Sequence, residues 1–468
     1  MQIALPPRMM PIAMKFDLLI TNACIATPDG QVVGTVAVSD GRIAAILTSG
    51  PLPEASRTID AAGRYLLPGV VDVHVHFREP GQEYKATYRS ESTAAAVGGT
   101  TTVCDMPNNG DRAIVNVGRL RDKAAVAAES SYVDFGLYAY LCSDDEATLQ
   151  GLVDAGVMGF KWDMSLAGTE VAPGVRLPLP EDALPYFQAA AAVGAIVGIH
   201  AEHRPMILER TSLLKAAGRT DVAAHLDARP VDAEVIALRQ ALELCKKSRA
   251  RMHIHHLSSG AGLALIRDAK ESGLPVTAET IPPFLFLDER DYDRLGTVMK
   301  IHPAVKHVAD RDALWQGLRD GAIDCIATDH APHTRDEKLQ GVWEANPGAI
   351  GVQTSLPLML NAVRNGLLDL TRCVEVMTSA PACIYGMYPR KGAIAVGSDA
   401  DLVLVDLDNK FTISNREIHT PNHLTPFDGV EVYGVPMVTI IRGQVVAEDG
   451  KTVGPPRGIQ VRPGSTQP

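Results

Sequence analysis

Residues 66 to 81 read LLPGVVDVHVHFREPG, an apolar, β-branched run into which Asp72, His74 and His76 are set. Side chains two apart in a strand leave from the same face, so His74 and His76 converge on one point while Val73 and Val75 pack behind them. Two convergent imidazoles make a metal clamp. The ordinary alternative for an isolated His-x-His pair is an edge strand with two solvent-facing histidines. Four more ligand-type residues favour the clamp, because each stands near the C-terminal end of its own apolar run: Lys161 in GVMGFK, His200 in AIVGIH, His256 in RMHIHH and Asp329 in CIATD.

Outward from that stretch the chain alternates. Apolar runs recur at 70–76, 101–106, 133–140, 157–162, 196–200, 251–256, 275–280 and 324–329, with helix-like stretches such as 88–97, 182–193, 231–246 and 260–272 in most gaps. Eight such runs predict an α/β fold, a (β/α)8 TIM-like barrel over residues 68–390. Active sites of such barrels lie at the C-terminal ends of the strands, where all six ligand-type residues fall. The flanks differ. Residues 1–67 and 391–468 hold short strands and turns, among them FDLLITNACIA, QVVGTVAVSD and RIAAIL before the barrel, and DLVLVDL and MVTIIRGQVV after it. They predict a small discontinuous β-sandwich domain formed by both termini.

Composition bounds the function. A chain of 468 residues with 46% hydrophobic and 21% charged residues is globular and too long for one ordinary core. A net charge of -11 disfavours nucleic acid and anionic membrane surfaces as partners. No run reaches the roughly 18 apolar residues that a membrane span needs. The opening MQIALPPRMMPIAMKF lacks a continuous apolar core, so it does not read as a secretory signal, and Met10 and Met14 are alternative starts. Seven scattered cysteines without a CxxC pair predict reduced thiols and a cytoplasmic protein.

His74, His76, Lys161, His200, His256 and Asp329 supply enough donors for two divalent metals sharing a bridge. A protonated lysine has no lone pair to give. Addition of carbon dioxide to Lys161 would make an anionic carbamate able to span both metals, and the apolar neighbours Phe160 and Trp162 favour this over a lysine head in solvent. His256 is preferred to His253 and His255 because it ends its run, ahead of the turn-like Leu257-Ser258-Ser259-Gly260. His203, His225, His307, His419 and His423 read as surface or hydrogen-bonded histidines, and His330 as a neighbour supporting Asp329.

Together HVHFREPG, the MPNN at 106–109, GFK, the His200-Ala201-Glu202 step, HLSS and ATDHAPHT resemble the cyclic amidohydrolases, the group of dihydroorotase, allantoinase and hydantoinase or dihydropyrimidinase. The resemblance covers about residues 16 to 447 and is closest in motifs to dihydroorotase. It implies that the six residues hold two zinc ions bridged by hydroxide and by a carboxylated Lys161. It implies too that Asp329 doubles as general base, that a small-molecule cyclic amide is opened to a carbamoyl or ureido acid, and that the enzyme is a homodimer or homotetramer.

Arg78, two residues beyond His76, has a planar fork suited to a substrate carboxylate. Asn108 and His333 match positions that join it in dihydroorotases. Two departures leave an allantoinase-like or hydantoinase-like ring open. His302 stands in KIHPAVK where dihydroorotases typically carry Asn-Pro-Pro, and Gln353 stands in GAIGVQTSL where many carry glutamate. Residues 336–350 read either as a substrate-covering loop or as ordinary surface. A non-catalytic scaffold relative would have no reason to keep six ligands that are costly to bury together. A one-metal deaminase would not need Lys161.

Overall fold

The structure, a computed structural model, describes residues 15–464, so the reading of the first residues as a non-secretory start lies outside the described residues. Each of the eight apolar runs contains a strand: Val70–Val75, Thr100–Asp105, Asp134–Tyr140, Gly159–Asp163, Ile196–His200, Arg251–Ile254, Val276–Thr280 and Cys325–Ile326. Each pairs in parallel with the next in chain order, as βαβ crossovers require. The helices expected between them are present as Tyr88–Val97, Leu184–Ala192, Val231–Ser248 and Gly260–Glu271.

The barrel closes between its first strand and the segment after its last. Val75 and His330 form a parallel bridge, and the His76 amide donates to the His330 carbonyl at 2.8 Å. Below this contact, buried Asp72 accepts from the Thr328 amide at 3.1 Å and from the Thr328 hydroxyl at 2.6 Å. The closing strand itself is only two residues long, and these side-chain bonds stand where a longer ladder would run.

Both termini join one nine-stranded mixed sheet. Leu402–Thr412 pairs antiparallel with Tyr65–Pro68, which pairs parallel with Phe16–Thr27. The hairpins Gly30–Ser39 with Arg42–Leu47 and Glu431–Ile441 with Gln444–Glu448 extend it on either side. Its apolar faces bury Leu18, Ile20, Val36, Leu402 and Ile440 in a core of their own. No helix among the described residues is long and apolar enough to cross a membrane.

Strand alternation decides which side chains reach the barrel interior. On Gly159–Asp163, Phe160 and Trp162 point outward, and the Trp162 ring meets Phe187 edge-on at 5.2 Å. Lys161 therefore points inward. The neighbouring strand places Gly198 beside it. A β-carbon at Gly198 would lie 2.0 Å from Nε2 of His255, so this glycine makes room for an imidazole under the barrel mouth.

Candidate metal centre and active site

A cavity of about 260 Å³ opens at the C-terminal ends of the barrel strands. All ten residues singled out from the sequence line it: His74, His76, Arg78, Asn108, Lys161, His200, His256, His302, Asp329 and His333. Tyr140, Asp163, Ser165, Leu166 and Ala331, which were not anticipated, complete the wall with Pro347 and Gly348. Two of the ten, His256 with φ 36° and Asp329 with φ 45°, have left-handed backbone. Such strain in non-glycine residues persists where the surroundings fix a side chain's aim, and it clusters at working sites.

Four imidazoles crowd the floor. Ring centroids of His74 and His76, and of His74 and His256, lie 5.3 Å apart, and those of His200 and His256 lie 4.6 Å apart. Asp329 Oδ1 is 3.3 Å from Nε2 of His74 and 3.0 Å from Nε2 of His76, so three potential ligand atoms face one point. On the far side, Nδ1 of His200 is 2.9 Å from Nε2 of His256, whose buried Nδ1 has no hydrogen-bond partner among the described residues. Burial drives the pKa values of His74, His76 and His256 well below the ordinary imidazole value, and His255 beside His74, Arg78 beside His76, His200 beside His256 and Lys161 near all three add to the effect. Neutral imidazoles with free lone pairs are the form that binds a cation. Burial likewise raises the Asp329 carboxyl and lowers the Lys161 amine, and a neutral amine is the form that adds carbon dioxide.

Beneath the floor lies a buried polar layer. Glu279, in the seventh strand, sits 2.6 Å from Nδ1 of His74 and 3.1 Å from Nε2 of His253, which turns Nε2 of His74 toward Asp329. His255, given an ordinary role from sequence, instead places Nδ1 3.1 Å from the Lys161 amine and 3.0 Å from Nδ1 of His74. It does not line the cavity. His200 is oriented by Glu202 at 2.8 Å, and Arg229 binds the same carboxylate oxygen. Burial alone would raise Glu202, but Arg229 and His200 hold it below the usual carboxylate range. His330 turns its Nε2 away to Glu91 at 2.6 Å and fixes the backbone beside Asp329.

The upper wall is basic. The Arg78 guanidinium is 6% exposed, donates through Nε to the Pro332 carbonyl at 2.8 Å and lies 3.2 Å from Nε2 of His333. Opposite it the His302 ring stacks on His225, centroids 5.3 Å apart, while His225 bonds the Ile301 carbonyl. The segment 336–350 contributes Pro347 and Gly348 to the cavity, so part of it covers the site. Gln353 does not line the cavity. Its side-chain amide donates to the Glu417 carbonyl and accepts from the His419 amide, pinning the loop that carries them.

Residues 65–446 match the amidohydrolase family, and the chain belongs to it. Its relatives carry three names. An L-hydantoinase of Paenarthrobacter aurescens is 37% identical over 94% of this chain and 96% of its own length. An allantoinase of Deinococcus radiodurans is 34% identical over 97% and 100%, and a dihydroorotase of Halobacterium salinarum 38% identical over 92% and 100%. Among solved structures, an L-hydantoinase (dihydropyrimidinase) from Arthrobacter aurescens superposes with a TM-score of 0.92 at 35% identity, covering 96% of this chain and all of that one.

Proposed function

We propose that this chain is a binuclear-metal hydrolase that opens a cyclic amide bearing a carboxylate, with dihydroorotate and its product N-carbamoyl-aspartate, interconverted reversibly, as the pair its motifs resemble. The observation that carries this reading is Arg78. It is a buried guanidinium at the cavity wall with which, among the described residues, no carboxylate forms an ion pair. A buried charge lacking a counterion is costly, and a substrate carboxylate would supply one in bidentate geometry. Asn108, whose buried Oδ1 has no partner among the described residues, and His333 stand beside it as further polar contacts.

His74, His76 and Asp329 would hold one divalent cation and His200 and His256 a second, with Lys161, as a carbamate, a further anionic ligand. The unpartnered Nδ1 of His256 and the convergent Nε2 atoms of His74 and His76 fit such a donor set. Two zinc ions there, the choice implied by the resemblance, supply an acidified water and a Lewis acid for the ring carbonyl. Asp329 takes the proton of the attacking water and returns it to the departing ring nitrogen, a task suited to a carboxyl raised by burial. Arg78 and His333 hold the carboxylate, and His302 with Tyr140 bounds the ring and keeps bulk water from it.

An uncharged ureide ring is the second reading, supported by the L-hydantoinase likeness and by His302. Turnover of the metal-loaded enzyme on dihydroorotate, dihydrouracil, allantoin and hydantoin, with bound metal counted on the same sample, separates the two. The expected outcome is about two metals per chain and a preference for dihydroorotate that Arg78→Ala reduces about 100-fold or more while sparing dihydrouracil. Equal losses on both rings would remove the carboxylate reading.

A further inference from the structure

Lys85 lies outside the cavity, behind its wall, in the connection between the first barrel strand and helix Tyr88–Val97, and it is 7% exposed. Its ammonium nitrogen is 3.1 Å from Nδ1 of His333 and 3.2 Å from the Glu337 carboxylate. The same imidazole faces two other groups through Nε2: the Pro347 carbonyl at 2.9 Å and the Arg78 guanidinium at 3.2 Å. His333 thus has a donor within hydrogen-bond distance of Nδ1, with the Glu337 carboxylate farther off at 3.7 Å, and a donor and an acceptor at Nε2.

The proton on this ring can be placed by elimination. An ammonium only donates, so its contact requires Nδ1 to accept. The Pro347 carbonyl only accepts, so it requires a proton on Nε2. Both demands select one neutral tautomer, with hydrogen on Nε2. The doubly protonated ring is excluded by burial between two cations, which holds the His333 pKa down to about 2. Burial, with Arg78 nearby, lowers the Lys85 pKa, and Glu337 beside it opposes that shift and favours the ammonium form that this arrangement needs. With that tautomer, Arg78 and Nε2 of His333 face each other as donor against donor, beside the cavity they both line. A carboxylate oxygen placed between them would accept from both, with the Nε2–H shared with the Pro347 carbonyl or turned from it.

We propose that Lys85 is a positioning residue for the substrate carboxylate. By donating to Nδ1 it fixes the Nε2–H tautomer of His333 and makes a neutral histidine a directed donor beside Arg78. This rests on the carboxylated-ring reading of the site.

The test uses the metal-loaded enzyme and its Lys85→Met, Lys85→Arg and Glu337→Gln variants, after each is shown to melt cooperatively. Two readouts are taken: kcat and KM on dihydroorotate and on dihydrouracil, and 15N shifts of histidine-labelled protein with His333→Asn identifying the signal. Lys85→Met is expected to raise KM for dihydroorotate about tenfold, leave dihydrouracil within twofold, and move the His333 nitrogens from a fixed Nε2–H pattern toward tautomer averaging. Lys85→Arg, which keeps a cationic donor, should restore most of the affinity, and Glu337→Gln, which removes the group favouring the ammonium, should move the ring signal part of the way toward averaging. Equal losses on both rings, an unmoved His333 signal, or a Lys85→Arg variant no better than Lys85→Met would each overturn the role and leave Lys85 a structural staple. A native enzyme indifferent to the carboxylate would instead overturn the substrate class, and this role with it.

Discussion

Glu279 illustrates what the strand pattern could and could not reveal. The six ligand candidates and Arg78 could be brought to one cavity because a strand's two-residue period and the barrel's single functional end restrict where a polar residue in an apolar run can point, whereas Asn108, His302 and His333 came from the family resemblance alone. Glu279 stands in such a run, VTAET, and was a readable signal. Its partners His74 and His253 come from two other strands, and that pairing is a tertiary fact. His255 was misjudged for a related reason. Alternation sends it away from the cavity but not away from Lys161, which it meets from below. The Glu279 contact fixes which nitrogen of His74 is free, so Glu279→Gln is expected to weaken metal binding about 10- to 100-fold, read by competition with a chelating dye. Unchanged affinity would mean that His74 is oriented by packing alone.

At the scale of an element, the segment after the last strand is held by buried amines. Lys338, on the short helix Arg335–Lys338, donates to the Lys300 carbonyl at 3.0 Å and to the Asn346 carbonyl at 3.3 Å. Lys300 donates to the Ala345 carbonyl at 2.5 Å. Nothing in DEKLQGVWEANPGAI distinguishes these lysines from surface ones, since hydration or burial of a lysine depends on what the fold lays over it. Burial, with Lys300 nearby, lowers Lys338 to about 7. The folded pKa lies below the unfolded value near 10.4, so the unfolded chain binds more protons between about pH 7 and 10 and stability rises with pH across that window. Lys338→Met should abolish this contribution. The unfolding free energy of the native protein relative to the variant is expected to grow by about 1 to 3 kcal/mol from pH 7 to 9.5 in urea titrations. A constant difference would show that the carbonyls keep the amine charged throughout.

At the scale of the molecule, the end of the barrel opposite the cavity is tied to the terminal sheet by charge. Lys391 lies 2.5 Å from Asp134, at the start of the third barrel strand, and 2.9 and 2.6 Å from Asp399 and Asp401, just ahead of the sheet strand Leu402–Thr412. Arg442 joins Asp134 from the sheet side. Lys391→Met would leave carboxylates buried without their shared cation, and a loss of about 3 to 5 kcal/mol in unfolding free energy is expected, with kcat unchanged in the folded fraction. A stability within 1 kcal/mol of native would mean that water or a solvent cation replaces the amine.

The closing seam carries a further consequence. His76 and Asp329 are 253 residues apart in sequence, yet they face the same cation position. A metal held there is a clasp on a ring of about the whole barrel's length, and the entropy of joining such distant ends is large. Ligands of one ion recruited from the first and the last strand make metal affinity a readout of whether the ring has shut. With cations bound as proposed, tight binding would report a completed barrel, and a chain stripped of them would open first at the seam beside the two-residue strand Cys325–Ile326.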